Sequence, residues 1–453
     1  MASPSPSTKN GTWLSRWEPE NPAFWETTGK RLAWRTLWIT TYSLMLSFIV
    51  WFMVSAIVVR LPGVGFKFTT TQLFWLTAMP GLAGGTLRLI WTFLPPILGT
   101  RHLVAISTAL LLIPVIGWSY AIENPGTPYW VLLMLAFLAG IGGGNFSGFM
   151  PSTSYFFPKR LQGTALGIQA GIGNFGVSVV QFLTPWVVVF PLFASGIVNL
   201  DNPQNFTAQN GLSSPIWLHN AALVWTLFIL IGVAMAWTML KSVPVRANFR
   251  EQFDIFRDKH TWVMTSLYIA TFGSFSGFSA VFALLIRQLY GKFSEAPDPL
   301  TLAFLGPLVG SLVRVAFGPL ADRMGGAKLT QVSTLGMLVS AVGLSFFVNP
   351  ASLEQFPYLV GFMLLLFLFA GIGNASTFKQ MPMIFDPRRA GGVIGWTAAI
   401  AAYGPFFFSV TIAAIIARAG HPTAFFYGAA VFYAFNAWLN WYYYARRGAE
   451  KPC

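Results

Sequence analysis

Two arginines stand inside long apolar runs: Arg88 in TQLFWLTAMPGLAGGTLRLIWTFL (residues 71–94) and Arg314 in LTLAFLGPLVGSLVRVAFGPLADRM (residues 300–324). Each follows a proline, Pro80 or Pro307, and neither run holds an acid deep enough to neutralise its arginine. A guanidinium in hydrocarbon costs about 2.5–3.5 kcal/mol even on the forgiving insertion scale, so such residues tend to face cavities and mark transport paths. Arginine stays charged and presents a planar fork of donors that suits planar oxyanions. A small anion between the two would neutralise one charge and hydrogen-bond to both. The plainer reading has each arginine donating to backbone carbonyls or snorkelling to an interface. The matched depth and position of the pair favour the anion.

Further candidates surround this pair. Asn174, in GIQAGIGNFG, is polar in a Gly-rich segment and can donate its amide to an anion or to a neighbouring helix. Tyr268 and Phe272 lie one helical turn apart in LYIATFGSFSGF, where Tyr268 supplies a hydroxyl, although aromatic stripes at that spacing also arise from packing. Phe146, in GGNFSGF, offers a hydrophobic wall or gate, with a core role as its default. Lys379 near the end of its segment is expected to snorkel rather than to bind substrate. The fourteen acids and four histidines all fall in expected loops or helix ends. The sequence therefore holds no buried carboxylate or imidazole to relay protons. No metal-ligand spacing, nucleophile elbow or phosphate loop appears, so neither an enzyme nor a cofactor is expected.

These residues must be carried by membrane helices. The chain has 453 residues, 55% of them hydrophobic and only 9% charged, with a mean hydropathy of +0.60. A bilayer takes about 20 apolar residues to cross. The sequence supplies twelve such runs, near 37–59, 71–94, 103–122, 129–154, 161–190, 216–240, 260–290, 300–324, 327–348, 356–385, 390–416 and 422–445. The net charge of +14 is a matter of topology rather than of nucleic-acid binding. With the N-terminus placed in the cytoplasm, most Lys and Arg fall on that side, and the outer loops keep only Arg60, Lys67, Arg287, Lys292 and Arg418. The one cysteine, Cys453, excludes an internal disulfide. The polar stretch before the first run, containing WEPENPAFW, lacks the apolar core of a signal peptide and reads as a lead-in with its Trp and Phe at the headgroups.

An internal repeat organises the chain. AGIG begins at Ala139 and again at Ala370, and Met-Pro follows at the same offset in both copies, at Met150 and Met381. The interval between the copies nearly equals that from Arg88 to Arg314. The expected fold is all-α and integral to the membrane, with twelve helices in two pseudo-symmetric six-helix halves. The expected divisions are a lead-in (1–36), the halves (37–240 and 260–445), a connector (241–259) and a tail (446–453). That plan resembles the major facilitator fold, which places substrate between the halves near the bilayer midplane. GPLADRMGG, from Gly318, resembles the loop signature of that superfamily; Asp322 would cap a helix end while Arg323 binds backbone or acidic groups. Glycines spaced by four, Gly163, Gly167 and Gly171 in one half and Gly391 and Gly395 in the other, would let helix backbones touch and slide, or simply pack.

AGIGGGNFSGFMPSTSYFFPKRLQG and AGIGNASTFKQMPMIF resemble the two nitrate signatures of the nitrate/nitrite porter family. WEPENPAFW and LYIATFGSFSGFSA resemble the bacterial NarK type within it, and the resemblance spans nearly the whole chain. It implies that Arg88 and Arg314 bind the anion, with Asn174, Tyr268, Phe146 and Phe272 around it. It also implies a cytoplasmic (inner) membrane protein of a bacterium acting on nitrate and nitrite; the charge bias places both termini inside, and a monomer is expected to suffice. The family includes nitrate/nitrite exchangers and proton-coupled importers. The segment DPRRAGG is shorter than in some NarK-type porters, and the lysine of FKQMP is absent from some members. The lack of a buried proton relay favours antiport. Proton symport, with Lys379 as the candidate for coupling, is the alternative; an anion channel or a non-transporting sensor is remoter.

Overall fold

The computed structural model describes residues 8–9, 12–192, 202–244 and 250–453, except for the side chains at 8–9, 250–253, 322 and 387–388. Twelve long helices carry the chain: α1 (Pro22–Val58), α2 (Thr70–Trp91), α3 (Pro95–Ala121), α4 (Tyr129–Ser154), α5 (Lys159–Val187), α6 (Asn220–Met239), α7 (Lys259–Tyr290), α8 (Leu300–Ala321), α9 (Gly326–Ser345), α10 (Leu353–Ile384), α11 (Arg389–Ala419) and α12 (Thr423–Asn440). Among the described residues, the first eleven are long and apolar enough to cross a membrane. The helix α12 falls where the twelfth span is expected, but its tyrosines and its two asparagines, Asn436 and Asn440, dilute its hydropathy. Those asparagines are buried: Asn436 accepts from Ser266, and Asn440 donates to the Ala327 carbonyl and the Gln331 side chain.

Helix pairings repeat between the halves. The contact of α1 with α5 recurs as α7 with α11, that of α2 with α4 as α8 with α10, and that of α3 with α6 as α9 with α12. Across the halves, α2 packs on α11 and α5 on α8. Small residues set several of these distances. A Cβ on Gly142 would sit 2.0 Å from the Ser47 carbonyl, and one on Gly371 would sit 2.5 Å from the Gly310 carbonyl. Two short hairpins are added to the all-helical plan; the larger pairs Gln204–Thr207 with Ser213–Ile216.

The lead-in departs from expectation. Pro22 opens α1 well before residue 37, and the Asn21 side chain caps it by accepting from the Ala23 and Phe24 amides. Trp25 is buried rather than lying at headgroups. The turn between α4 and α5 presents Phe156 and Phe157, and Trp17, Trp25 and Trp34 cover them. Trp17 also donates to the Tyr155 carbonyl over 2.9 Å. Hydrophobic burial against this turn overrides the interfacial preference of tryptophan. The connector expected at 241–259 includes 245–249, which lie outside the described residues; beyond them, Arg250–Arg257 is a 3-10 helix.

The two ends of the bundle differ. At the end carrying the α1–α2 and α7–α8 loops, Arg60 pairs with Asp298 across the halves, and Phe206 of the hairpin lies 5.2 Å from the Arg60 guanidinium carbon. Arg287 donates to the Val59 carbonyl and Thr70 to Gln288 at the same end. Deeper, Gln181 of α5 donates to the Ser279 carbonyl of α7 over 2.8 Å. Toward the opposite end, a Cβ on Gly163, Gly167, Gly318 or Gly391 would meet nothing within 4 Å.

Candidate functional site

The site begins with the start of α2. Thr69 and Gln72 form a reciprocal capping box that fixes the helix register. Within α2, the Pro80 carbonyl accepts from the Trp51 indole of α1 over 2.8 Å. Gly84 and Gly143 make room for that indole, since a Cβ on either would sit 3.0 Å or less from it. The same thinning of α4 brings the Gly143 carbonyl to Arg88.

Arg88 is fully buried. Its Nε donates to the Gly143 carbonyl at 2.8 Å and its Nη1 to the Ala398 carbonyl of α11 at 2.7 Å. The plainer reading, donation to backbone carbonyls, therefore holds for two of the Arg88 nitrogens, one of the carbonyls coming from the other half. The Arg88 Nη2 keeps no partner. The guanidinium carbon lies 4.6 Å from the Phe146 ring centre, 5.2 Å from Phe272 and 5.3 Å from Trp51. Such cation–π contacts hold the charge without neutralising it.

Arg314 comes from α8 on the opposite side and is 6% exposed. It lies 5.0 Å from the Phe378 ring centre of α10, and its Nη1 is buried without a partner. Between the arginines runs an aromatic wall. Phe272 faces Phe146 at 6.4 Å; Tyr268 stacks on Phe272 at 5.4 Å and meets Phe378 at 5.3 Å. Tyr268 precedes, and Phe272 lies within, a π-helical turn, Ile269–Gly273, a distortion frequent at functional sites. The Tyr268 hydroxyl is buried and has no hydrogen-bond partner. Asn174 of α5 is fully buried with both amide atoms unpartnered.

Arg88, Phe146, Phe272, Tyr268 and Arg314 thus share one continuous site, and Asn174 offers a buried amide from α5. Trp51 and Phe378 were not anticipated. Each is one aromatic among 18 Trp and 43 Phe, and residue type alone gives no signal there. Lys379 is half-buried beside Phe378, near the end of α10. Gly171 faces Val315 across the halves, where a Cβ would sit 2.4 Å away, and Gly395 faces Thr92 at 3.6 Å. Gly167 and Gly318 face open space. The Asp322 side chain lies outside the described residues. Arg323 is exposed in the last turn of the helix ending at Met324, with no side-chain partner among the described residues, in place of the gate contact expected for it. The adjoining turn is closed by Gly325, whose φ of 90° favours glycine.

The arrangement offers donors and no acceptor charge. Acid–histidine hydrogen bonds, Glu123 with His219 and Glu450 with His260, lie at helix ends. No group of three or more His, Cys, Asp or Glu gathers among the described residues to hold a metal. Buried unpartnered donors carry a desolvation penalty of about 1–3 kcal/mol each, more for charged groups, which a bound anion or water removes.

Residues 40–353 match the family model described as Major Facilitator Superfamily. The chain is 70% identical over 443 residues to the "Probable nitrate/nitrite antiporter NarK2" of Thermus thermophilus, covering 98% of this chain and 99% of that one. It is 36% identical to the "Nitrate/nitrite transporter NarU" of Escherichia coli, covering 97% and 98% of the two. Among solved structures, a bacterial homologue of the human lysosomal transporter Spinster, inward-facing and unoccupied, aligns with a TM-score of 0.66 at 13% identity over 90% of this chain and 96% of that one. The nucleoside transporter NupG aligns with a TM-score of 0.62 at 12% identity over 89% and 98%. At these identities the structures speak for the fold alone.

Proposed function

The chain belongs to the Major Facilitator Superfamily and, within it, to the NarK-type nitrate/nitrite porters, and we propose that it exchanges nitrate for nitrite across a membrane by alternating access. It is a multi-pass membrane protein whose relatives are transporters rather than enzymes. The observation that carries the reading is the pair of buried guanidiniums, each keeping an N–H without a partner, with no carboxylate beside them. A planar monovalent oxyanion matches the fork geometry and relieves both orphaned donors. Phe146 and Phe272 bound its space, while Tyr268 and Asn174 add neutral donors.

Coupling follows from the same charges. Without an anion, two like charges facing a narrowing low-dielectric cleft repel and disfavour its closure. A bound anion removes that penalty, so only the loaded carrier crosses between its two states. In this reading the six-helix halves (37–240 and 260–445) rock about the site, and Lys379 stays outside the exchange cycle. The lead-in, connector and tail lie on the cytoplasmic side of a bacterial inner membrane, and the Arg60–Asp298 seal lies outside. One chain suffices, because both halves of the site come from it.

Calorimetry on the purified full chain tests the site. Nitrate and nitrite should both bind, and Arg314→Lys, which keeps the charge but loses the fork, should weaken both by about tenfold or more. Unchanged affinity in Arg314→Lys would remove that residue from the site.

A further inference from the structure

The two halves each hold a buried amide that nothing satisfies. Asn174 sits in AGIGN (residues 170–174) on α5, and the same five residues recur at 370–374 on α10, ending at Asn374. Both side chains are fully buried, and in both the Nδ2 and Oδ1 atoms lack a partner. An unpartnered buried amide is an expense that packing alone does not explain.

The neighbourhood of Asn374 repeats the pattern. Ser311 and Thr271 are buried, and both hydroxyls are unpartnered. Helical spacing relates all three to the anion site. Ser311 lies one turn before Arg314 on α8, and Asn374 one turn before Phe378 on α10, each on the face of its site residue. Thr271 lies in the π turn between Tyr268 and Phe272. The three helices meet at this level. A Cβ on Gly373 would sit 2.3 Å from Thr271 Cγ2, and one on Gly371 would sit 2.5 Å from the Gly310 carbonyl, beside Ser311. A polar shelf therefore adjoins Arg314, one turn toward the sealed end. Arg88 is set differently: the residues one turn before it on α2 are Gly84 and Gly85, and carbonyls occupy two of its nitrogens.

We propose that Asn374, with Ser311 and Thr271, forms a specificity pocket for the third oxygen of nitrate, the atom that nitrite lacks. This rests on the nitrate/nitrite reading above. Two oxygens of either anion satisfy the guanidiniums. The third oxygen of nitrate accepts from the Asn374 amide and the two hydroxyls, whereas nitrite leaves that shelf to water. A site that hydrogen-bonds a group discriminates against an analogue lacking it, because its polar atoms are then left unpaired.

The test is calorimetric binding of nitrate and of nitrite to the purified full chain, comparing wild type with Asn374→Leu, Ser311→Ala and Thr271→Val. Leucine keeps the branching and the number of heavy atoms of asparagine and removes both polar amide atoms. Asn374→Leu should raise the nitrate Kd by about tenfold while the nitrite Kd moves by less than about threefold. The hydroxyl variants should shift the ratio of the two Kd values the same way by about threefold each; they carry the test if Asn374→Leu does not fold. A merely structural role would alter both anions together or neither. An unchanged ratio in variants that fold overturns the pocket, and so does a parallel loss of both anions. A wild type that binds neither anion overturns the underlying reading as well.

Discussion

Arg88 and Arg314 look equivalent in the sequence, but the molecule uses them differently. Arg88 spends two nitrogens on the Gly143 and Ala398 carbonyls and ties α2 to α4 and α11, whereas Arg314 lies against the Phe378 ring with its Nη1 unpartnered. Hydrogen bonds from charged donors contribute about 1.5–3 kcal/mol each. A lysine can keep at most one of the two bonds, so Arg88→Lys should lower stability by about 1.5–3 kcal/mol as well as binding, while Arg314→Lys should melt like wild type; thermal unfolding of the two variants in detergent decides this. Equal melting temperatures would mean that the carbonyl contacts of Arg88 contribute nothing. The sequence exposes a charge in an apolar run and so points to both residues. It is silent on backbone acceptors, which every residue possesses, and on Trp51, whose setting depends on where Gly84 and Gly143 thin the neighbouring helices.

Glycine spacing alone does not separate packing from open surface on α5. Gly173 and Gly176 face α1, where added Cβ atoms would sit 2.9 Å from Leu44 and 2.5 Å from the Met45 carbonyl. Gly171 faces α8, and Gly163 and Gly167 face nothing within 4 Å. A Gly176→Ala change should cost about 1–3 kcal/mol through forced backbone shifts. Gly163→Ala should be neutral or stabilise by about 0.5–1 kcal/mol, because it relieves the entropy cost of glycine in a helix. Chemical unfolding of both variants would show the contrast, and equal effects would refute the packing assignment. The positions of the helices were legible, since apolar runs of this length have few alternatives. The early start of α1 was not, because it depends on Phe156 and Phe157 offering a surface for Trp25 to cover.

The repeated pairings give two like halves, yet among the described residues the contacts between them gather at one end. The Arg60–Asp298 pair, the hairpin carrying Phe206 and the Gln181–Ser279 contact bind the halves together there, and the glycine-lined surfaces at the other end stay unfilled. The AGIG…Met-Pro repeat and the paired arginines disclosed the twofold plan, because duplicated segments keep their local sequence. The seal was hidden, since its partners are far apart in the chain and ordinary in type. In the proposed exchange cycle the two buried guanidiniums prevent the empty carrier from closing around its site, so that movement in one direction requires movement in the other. The most direct measurement is labelled nitrate uptake into proteoliposomes containing nitrite, nitrate or neither anion, with and without an inward proton gradient. Uptake should depend on internal anion and ignore the gradient; gradient-driven uptake into anion-free vesicles would contradict the account and direct attention to Lys379.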